Sequence, residues 1–213
     1  NADVNPRIPR KSDLGHVLMK IHADKDFVLP EVVAVKDEVK AVGASVFRGD
    51  KMVGRIGDLE LEAINLIRGL YIGGVFTAKD PDPGKGIIAM EVNSVKTKIH
   101  PDIQGDLPVF NVAIDIEGFI VESVMSQEHG LFDKEHLNSL EMAFEQKIEK
   151  QCDETVKRLK EDLNADVCMF GDHLRAKKPE YWDKVKDNWR VVYADAGVNI
   201  DVKVNIIHTG SAR

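Results

Sequence analysis

Cysteine is scarce: Cys152 and Cys168 are the two in 213 residues. Two thiols cannot make the multi-bridge framework that staples small secreted scaffolds. Both sit among apolar helical residues, so the expectation is a pair of buried free thiols. Cys-x-x-Cys, His-x-His and His-Glu-x-x-His are all missing, which removes the common zinc spacings. There is no Gly-x-Ser-x-Gly, and Ser45, Ser94, Ser123, Ser126 and Ser139 lack a spacing that implies a nearby base. Positive charge is also short, 29 Lys and Arg against 36 Asp and Glu for a net charge of −7. Such a chain is repelled by nucleic acid and by anionic lipid, since affinity there comes from basic groups that neutralise phosphate. Long apolar runs are missing too. No stretch of about 18 residues could cross a bilayer, and NADVNPRIPRKSD at the start has no signal-peptide core.

What is present suits a soluble globular body. With 43% hydrophobic and 31% charged side chains, the chain can bury a sizeable core as one large domain or two small ones. Ser12 is placed to cap a helix whose Leu14, Val17, Leu18 and Ile21 form one stripe expected to face inward, ending before Pro30. VVAVKDEVKAVGASVFRG and KMVGRIG are β-branched runs separated by the turn signal Gly49-Asp50. A helix is predicted from Asp58 to Arg68, stopped by Gly69.

KDPDPGKG, residues 79–86, carries two prolines and two glycines and marks a domain boundary or hairpin tip. GIIAMEVNSVKTKI and LPVFNVAIDIEGFIVES read as long strands, the second with Phe110, Val112, Ile114, Ile116 and Ile120 on one face. Asp133 is placed to cap a long helix reaching about Leu163, with Leu137, Leu140, Phe144, Ile148, Cys152, Val156, Leu159 and Leu163 as its stripe. A last strand alternates Ile200, Val202, Val204 and Ile206 with polar residues.

Candidate chemistry is thin. The seven histidines are dispersed at positions 16, 22, 100, 129, 136, 173 and 208, the nearest approach to a ligand cluster being Glu128-His129 followed by Glu135-His136. Asp80 and Asp82 suggest a calcium loop and Gly84-Lys85-Gly86 a phosphate cradle. Proline interrupts the first and the spacing fails the second, so an exposed turn is expected. FGDHLRAKKPEYWDKVKDNW, residues 170–189, holds both tryptophans and five basic residues. Its acids, Asp172, Glu180, Asp183 and Asp187, nearly cancel that charge. Asp166 is placed to start a helix with Val167, Phe170 and Leu174 on one side, and Pro179 a second helix with Trp182, Val185 and Trp189 on one side. Aromatics at helical spacing are core by preference.

The run ADVCMFGDHLRAKKPEYWDKVKDNW with VNIDVKVNIIHTG resembles the C-terminal signature of the Ger(x)C family, the C-subunit lipoproteins of bacterial spore germinant receptors. The matching residues are Asp166, Phe170, Gly171, Asp172, Lys177, Pro179, Trp182 and Gly210. A second block, GASVFRGDKMVGRIGDLELEAINLIRG, is similar at Ala44, Val46, Phe47, Asp50, Lys51, Val53 and Gly54. The resemblance implies a non-enzymatic receptor subunit carrying a palmitate-type lipid on an N-terminal cysteine that follows a signal sequence. It further implies a place on the outer face of the spore inner membrane, beside integral membrane A and B subunits. The chain resembles the second and third domains of such a protein.

The expected fold is α+β, with a smaller α/β domain over residues 1–78 and a C-terminal domain over 79–213. The latter is a largely antiparallel sheet in β-β-α-α-β order, with a long helix and shorter helices on one face. No catalytic residue, cofactor or metal is expected, and Asp172, Arg175 and Lys178 are the candidate partner contacts. A nutrient-binding domain with a concave pocket is the alternative.

Overall fold

The computed structural model describes residues 13–36, 38–82, 86–123 and 134–207. Ser12, Glu128, His129, Asp133, His208 and Gly210 lie outside the described residues. The first element, α1 (Leu14–His22), is capped by Asp13, whose Oδ1 accepts the N–H of His16 at 3.0 Å. Its stripe does not face inward: Leu14, Leu18 and Ile21 are all exposed and α1 buries no residue. Periodicity shows that a helix has an apolar side; it does not supply the surface that covers it.

Strands β1 (Phe27–Val35), β2 (Glu38–Arg48) and β3 (Lys51–Ile56) form an antiparallel meander in sequence order. Gly49 at φ +60° makes the turn expected at Gly49-Asp50. The run read as one β-branched stretch folds back on itself between Val35 and Glu38. The β1–β2 register shifts between Pro30 and Val32, where β2 carries an extra residue and Gly43 stands at φ +118°. Helix α2 (Asp58–Ile67) closes the unit, with Leu61, Ala63, Ile64 and Leu66 fully buried and Gly69 at φ +64° ending it as expected.

The second sheet has the order β4-β5-β6-β7, from β4 (Val75–Lys79), β5 (Ile87–Gln104), β6 (Leu107–Ser123) and β7 (Gly197–Ile206). The sequence reading did not assign β4. Two of the three pairings are antiparallel, and β6–β7 is parallel. The sheets therefore part between α2 and β4, ahead of the 78/79 division expected, because β4 hydrogen-bonds to β5. Phe110, Val112, Ile114 and Ile116 point into the core and Asp115 outward, as the alternation requires.

Helix α3 (Lys134–Glu161) lies across this sheet on Leu140, Phe144, Ile148, Cys152, Val156 and Leu159, all buried. Each such side chain contributes roughly 1.5–3 kcal/mol relative to exposure. The helix also ties the two units together. Gln151 donates to the carbonyl of Leu59 at 2.8 Å, Arg158 to that of Arg55 at 2.7 Å, and Arg158 pairs with Glu60. On the other side, Glu145 and Glu141 accept the N–H groups of Val204 and Ile206 at 3.0 and 2.8 Å. Strand β7 is an edge strand, and these carboxylates occupy donors that would otherwise stand open to another chain. The remaining helices are α4 (Phe170–Lys177), α5 (Pro179–Val185) and α6 (Trp189–Asp195), with a 3-10 turn at Lys186–Asn188 between the last two.

Candidate functional site

Asp166 organises the segment between α3 and β7. Its Oδ1 accepts the N–H of Phe170 at 2.8 Å, and its Oδ2 accepts the N–H of Gly171 at 2.8 Å and the indole N–H of Trp189 at 3.1 Å. The carboxylate thus satisfies two of the free donors at the start of α4, while Met169, in the left-handed region at φ +65°, turns the chain into the helix. Val167, expected inside this helix, is buried in the turn before it.

Gly171 is required by contact. A Cβ there would lie 2.8 Å from Nε1 and 2.9 Å from Cε2 of Trp189, and 3.2 Å from Cζ3 of Trp182. The tryptophans rest on each other with centroids 5.4 Å apart, and Phe110 of β6 meets Phe170 at 4.7 Å. Residues of α4, α5 and α6 therefore plug one side of the second sheet, with Phe170 and Leu174 fully buried and Trp182, Val185 and Trp189 packed against them.

A second layer of polar contacts joins this turn to the segment before β1. The N–H of Asp166 donates to Asp26 Oδ2 at 2.7 Å, and Asp26 Oδ1 accepts from Arg190 Nη1 at 2.9 Å. Lys25 pairs with Asp172. Burial pushes the Asp166 carboxyl up to about 6, against the lowering effect of the donors from Gly171, Phe170 and Trp189. Sequence spacing could suggest Asp166 as a helix starter. It could not suggest Asp26 or Arg190, which stand 164 positions apart.

These groups border a cleft of about 520 Å³ whose lining includes Lys20, Lys25, Asp26, Asp172, Trp189 and Arg190. Lys20 Nζ lies 3.8 Å from the sulfur of Met169, and Arg68 Nη2 lies 3.3 Å from the same sulfur. Desolvation lowers the affinity of both cations for their protons. Among the described residues neither has a carboxylate within ion-pair distance.

The three candidate contact residues do not form one patch. Asp172 is held by Lys25, with Arg175 at 3.7 Å; Arg175 is exposed; Lys178 leans the other way, 3.6 Å from Asp102 on β5. Two features read separately do meet. Asp80 and Asp82 of the expected exposed turn stand beside His136 on α3, and Asp80 is buried at 4% exposure, a correction to that reading. Asp80 faces inward because it continues the alternation of β4, in which Phe76 and Ala78 face the core. The thiols of Cys152 and Cys168 are free and buried.

Fold and junction together define a class: a two-sheet α+β body locked by an aspartate–tryptophan turn, with its side chains committed to packing and to a polar cleft. The family described as spore germination B3/GerAC-like, C-terminal, matches residues 42–210. The chain belongs to this Ger(x)C family of spore germination proteins. It is 32% identical over 209 residues to spore germination protein YndF of Bacillus subtilis (strain 168), covering 97% of this chain and 51% of that protein. Spore germination protein B3 of the same organism is 29% identical over 188 residues, 87% of this chain and 49% of the relative. The crystal structure of the GerBC protein superposes with a TM-score of 0.85 at 27% identity, covering 98% of this chain and 65% of that one. The chain spans about half the length of the curated relatives it matches.

Proposed function

We propose that this chain is the body of the C subunit of a nutrient germinant receptor, non-enzymatic, and required for spores to respond to nutrient. It works by docking to the integral membrane A and B subunits at the outer face of the spore inner membrane. The full-length parent is held there by an N-terminal lipid. The observation that carries this reading is the family match across residues 42–210. The geometry agrees with it, since Asp166, Phe170, Gly171 and Trp182 are used to hold the body together. No helix among the described residues is long and apolar enough to cross a membrane. One lipid chain gives only marginal membrane affinity, so contacts with partner subunits supply the rest. Arg175 beside Asp172 and, separately, Lys178 beside Asp102 are the proposed contact points. Photo-crosslinkers at Arg175 and Lys178 in the parent protein, in purified spore inner membrane, are expected to capture the A or B subunit. Capture of neither, with the protein present at normal abundance, overturns the docking role.

A second reading rests on the cleft. Lys20, which lines the cleft and is desolvated without a carboxylate partner among the described residues, suits a small molecule bearing a carboxylate, such as a nutrient amino acid. Titration calorimetry with amino acids, sugars and nucleosides separates the two. A pure docking subunit gives no heat, whereas a sensor gives saturable heat that Lys20→Ala removes.

A further inference from the structure

The hairpin between β4 and β5 begins with a tight polar turn. The N–H of Asp80 donates to the carbonyl of Gly86 at 2.9 Å, and Asp80 Oδ1 accepts the N–H of Asp82 at 2.9 Å. This sets two carboxylates side by side. The first turn of α3 brings His136 over them, with Nε2 3.7 Å from Asp80 Oδ2 and Nδ1 3.3 Å from Asp82 Oδ2. One ligand atom from each of the three residues can be chosen so that all lie within 4.8 Å of one another. Asp80 and His136 are buried, while the Asp82 side chain is 47% exposed, which gives the group a closed floor and an open mouth.

A second observation points to a missing ligand. Asp80 Oδ2 is enclosed and accepts no hydrogen bond among the described residues. Its 3.7 Å to His136 exceeds hydrogen-bonding reach, and a buried carboxylate oxygen without a donor costs free energy that native structures avoid. A cation held between Asp80, Asp82 and His136 removes that cost and offsets the charge of two neighbouring carboxylates.

We propose that Asp80, Asp82 and His136 bind one divalent ion of the zinc class. An imidazole nitrogen favours zinc over calcium, which takes oxygen ligands alone, and two aspartates complete three protein ligands with a fourth position open at the Asp82 side. In a tetrahedral site with bonds of about 2.0 Å the ligand atoms stand about 3.3 Å apart; one atom from each residue already lies within 4.8 Å of the others, and rotation of the imidazole and the two carboxylates brings them onto an ion through a single ring nitrogen. The ion clamps the β4–β5 hairpin to the start of α3.

The test uses the 213-residue chain stripped of metal, titrated with CoCl2 by visible absorption, then with ZnCl2 and, separately, CaCl2. One equivalent of cobalt is expected to bind and to be displaced by zinc. Calcium at equal concentration leaves the cobalt spectrum unchanged, and zinc raises the melting temperature. Asp82→Asn, at a half-exposed position that spares folding, is expected to weaken binding by at least about tenfold, and His136→Gln to abolish it. The proposal is overturned if no saturable binding occurs, if Asp82→Asn binds as tightly as the parent chain, or if calcium displaces cobalt.

Discussion

The indole N–H of Trp189 donates to the carboxylate of Asp166 at 3.1 Å across 23 positions of chain, and Gly171 is the residue whose missing side chain lets the indole reach it. One hydrogen bond, one glycine and one aromatic stack therefore share a single volume. A change at any of the three is felt by the others.

Gly171→Ala is predicted to cost about 1–3 kcal/mol, as overpacking a filled interior does. The added methyl would stand 2.8 Å from Trp189 Nε1, too close unless the indole or the helix moves. Urea denaturation followed by tryptophan fluorescence measures this. A variant within about 0.5 kcal/mol of the parent would show that the junction is loosely packed.

Stability is predicted to depend on pH through Asp166. Its carboxyl is raised to about 6 by burial, while in the unfolded chain an aspartate titrates near 3.9. The folded state therefore holds the proton more tightly. The stabilisation from that proton is complete below about pH 4 and is lost as pH rises through about 6. Carbon-detected NMR of the side-chain carboxyl gives the value directly, and Asp166→Asn removes the titration. A midpoint at or below 4 would show that the three donors outweigh burial.

Cys152 and Cys168 are predicted to resist alkylation in the folded protein at pH 8. Burial holds both thiols protonated, Cys152 pushed up to about 12, and leaves no path for reagent. Modification should begin only across the unfolding transition. Reaction of Cys152 in native buffer within minutes would contradict the packing of α3 on the sheet, and reaction of Cys168 the burial of the turn before α4.

Phe110→Ala is predicted to destabilise the chain by about 3–5 kcal/mol, the usual cost of removing a core aromatic, because its ring is fully buried and contacts Phe170 at 4.7 Å. Leu18→Ala in α1 is predicted to change stability by no more than about 0.5 kcal/mol, since that side chain is 56% exposed. Thermal melts of both variants compare the two positions. Equal losses would mean that the α1 stripe is covered after all.

Local rules carried much of the fold. Alternation on β6 and β7, the stripe of α3, the stop at Gly69 and the opening of α5 at Pro179 were each legible, because period, cap and backbone restriction act within a few residues. The inward reading of α1 failed for the same reason: a stripe at Leu14, Leu18 and Ile21 is a property of the helix, whereas burial depends on another element arriving. Strand β4, five residues long and buried only at Phe76 and Ala78, is too short for its period to stand out.

The sequence by itself determined the α+β class, the buried free thiols and, through the motif at Asp166, Phe170, Gly171 and Trp182, the family. Only the tertiary structure decided what those residues do. Sequence spacing fixes which side chains share a face of one element, but a hydrogen bond from Trp189 to Asp166, an ion pair from Arg190 to Asp26, and the meeting of His136 with Asp80 and Asp82 depend on how elements pack. Packing follows the sum of many weak apolar contacts over the whole core, and that sum is resolved only in three dimensions.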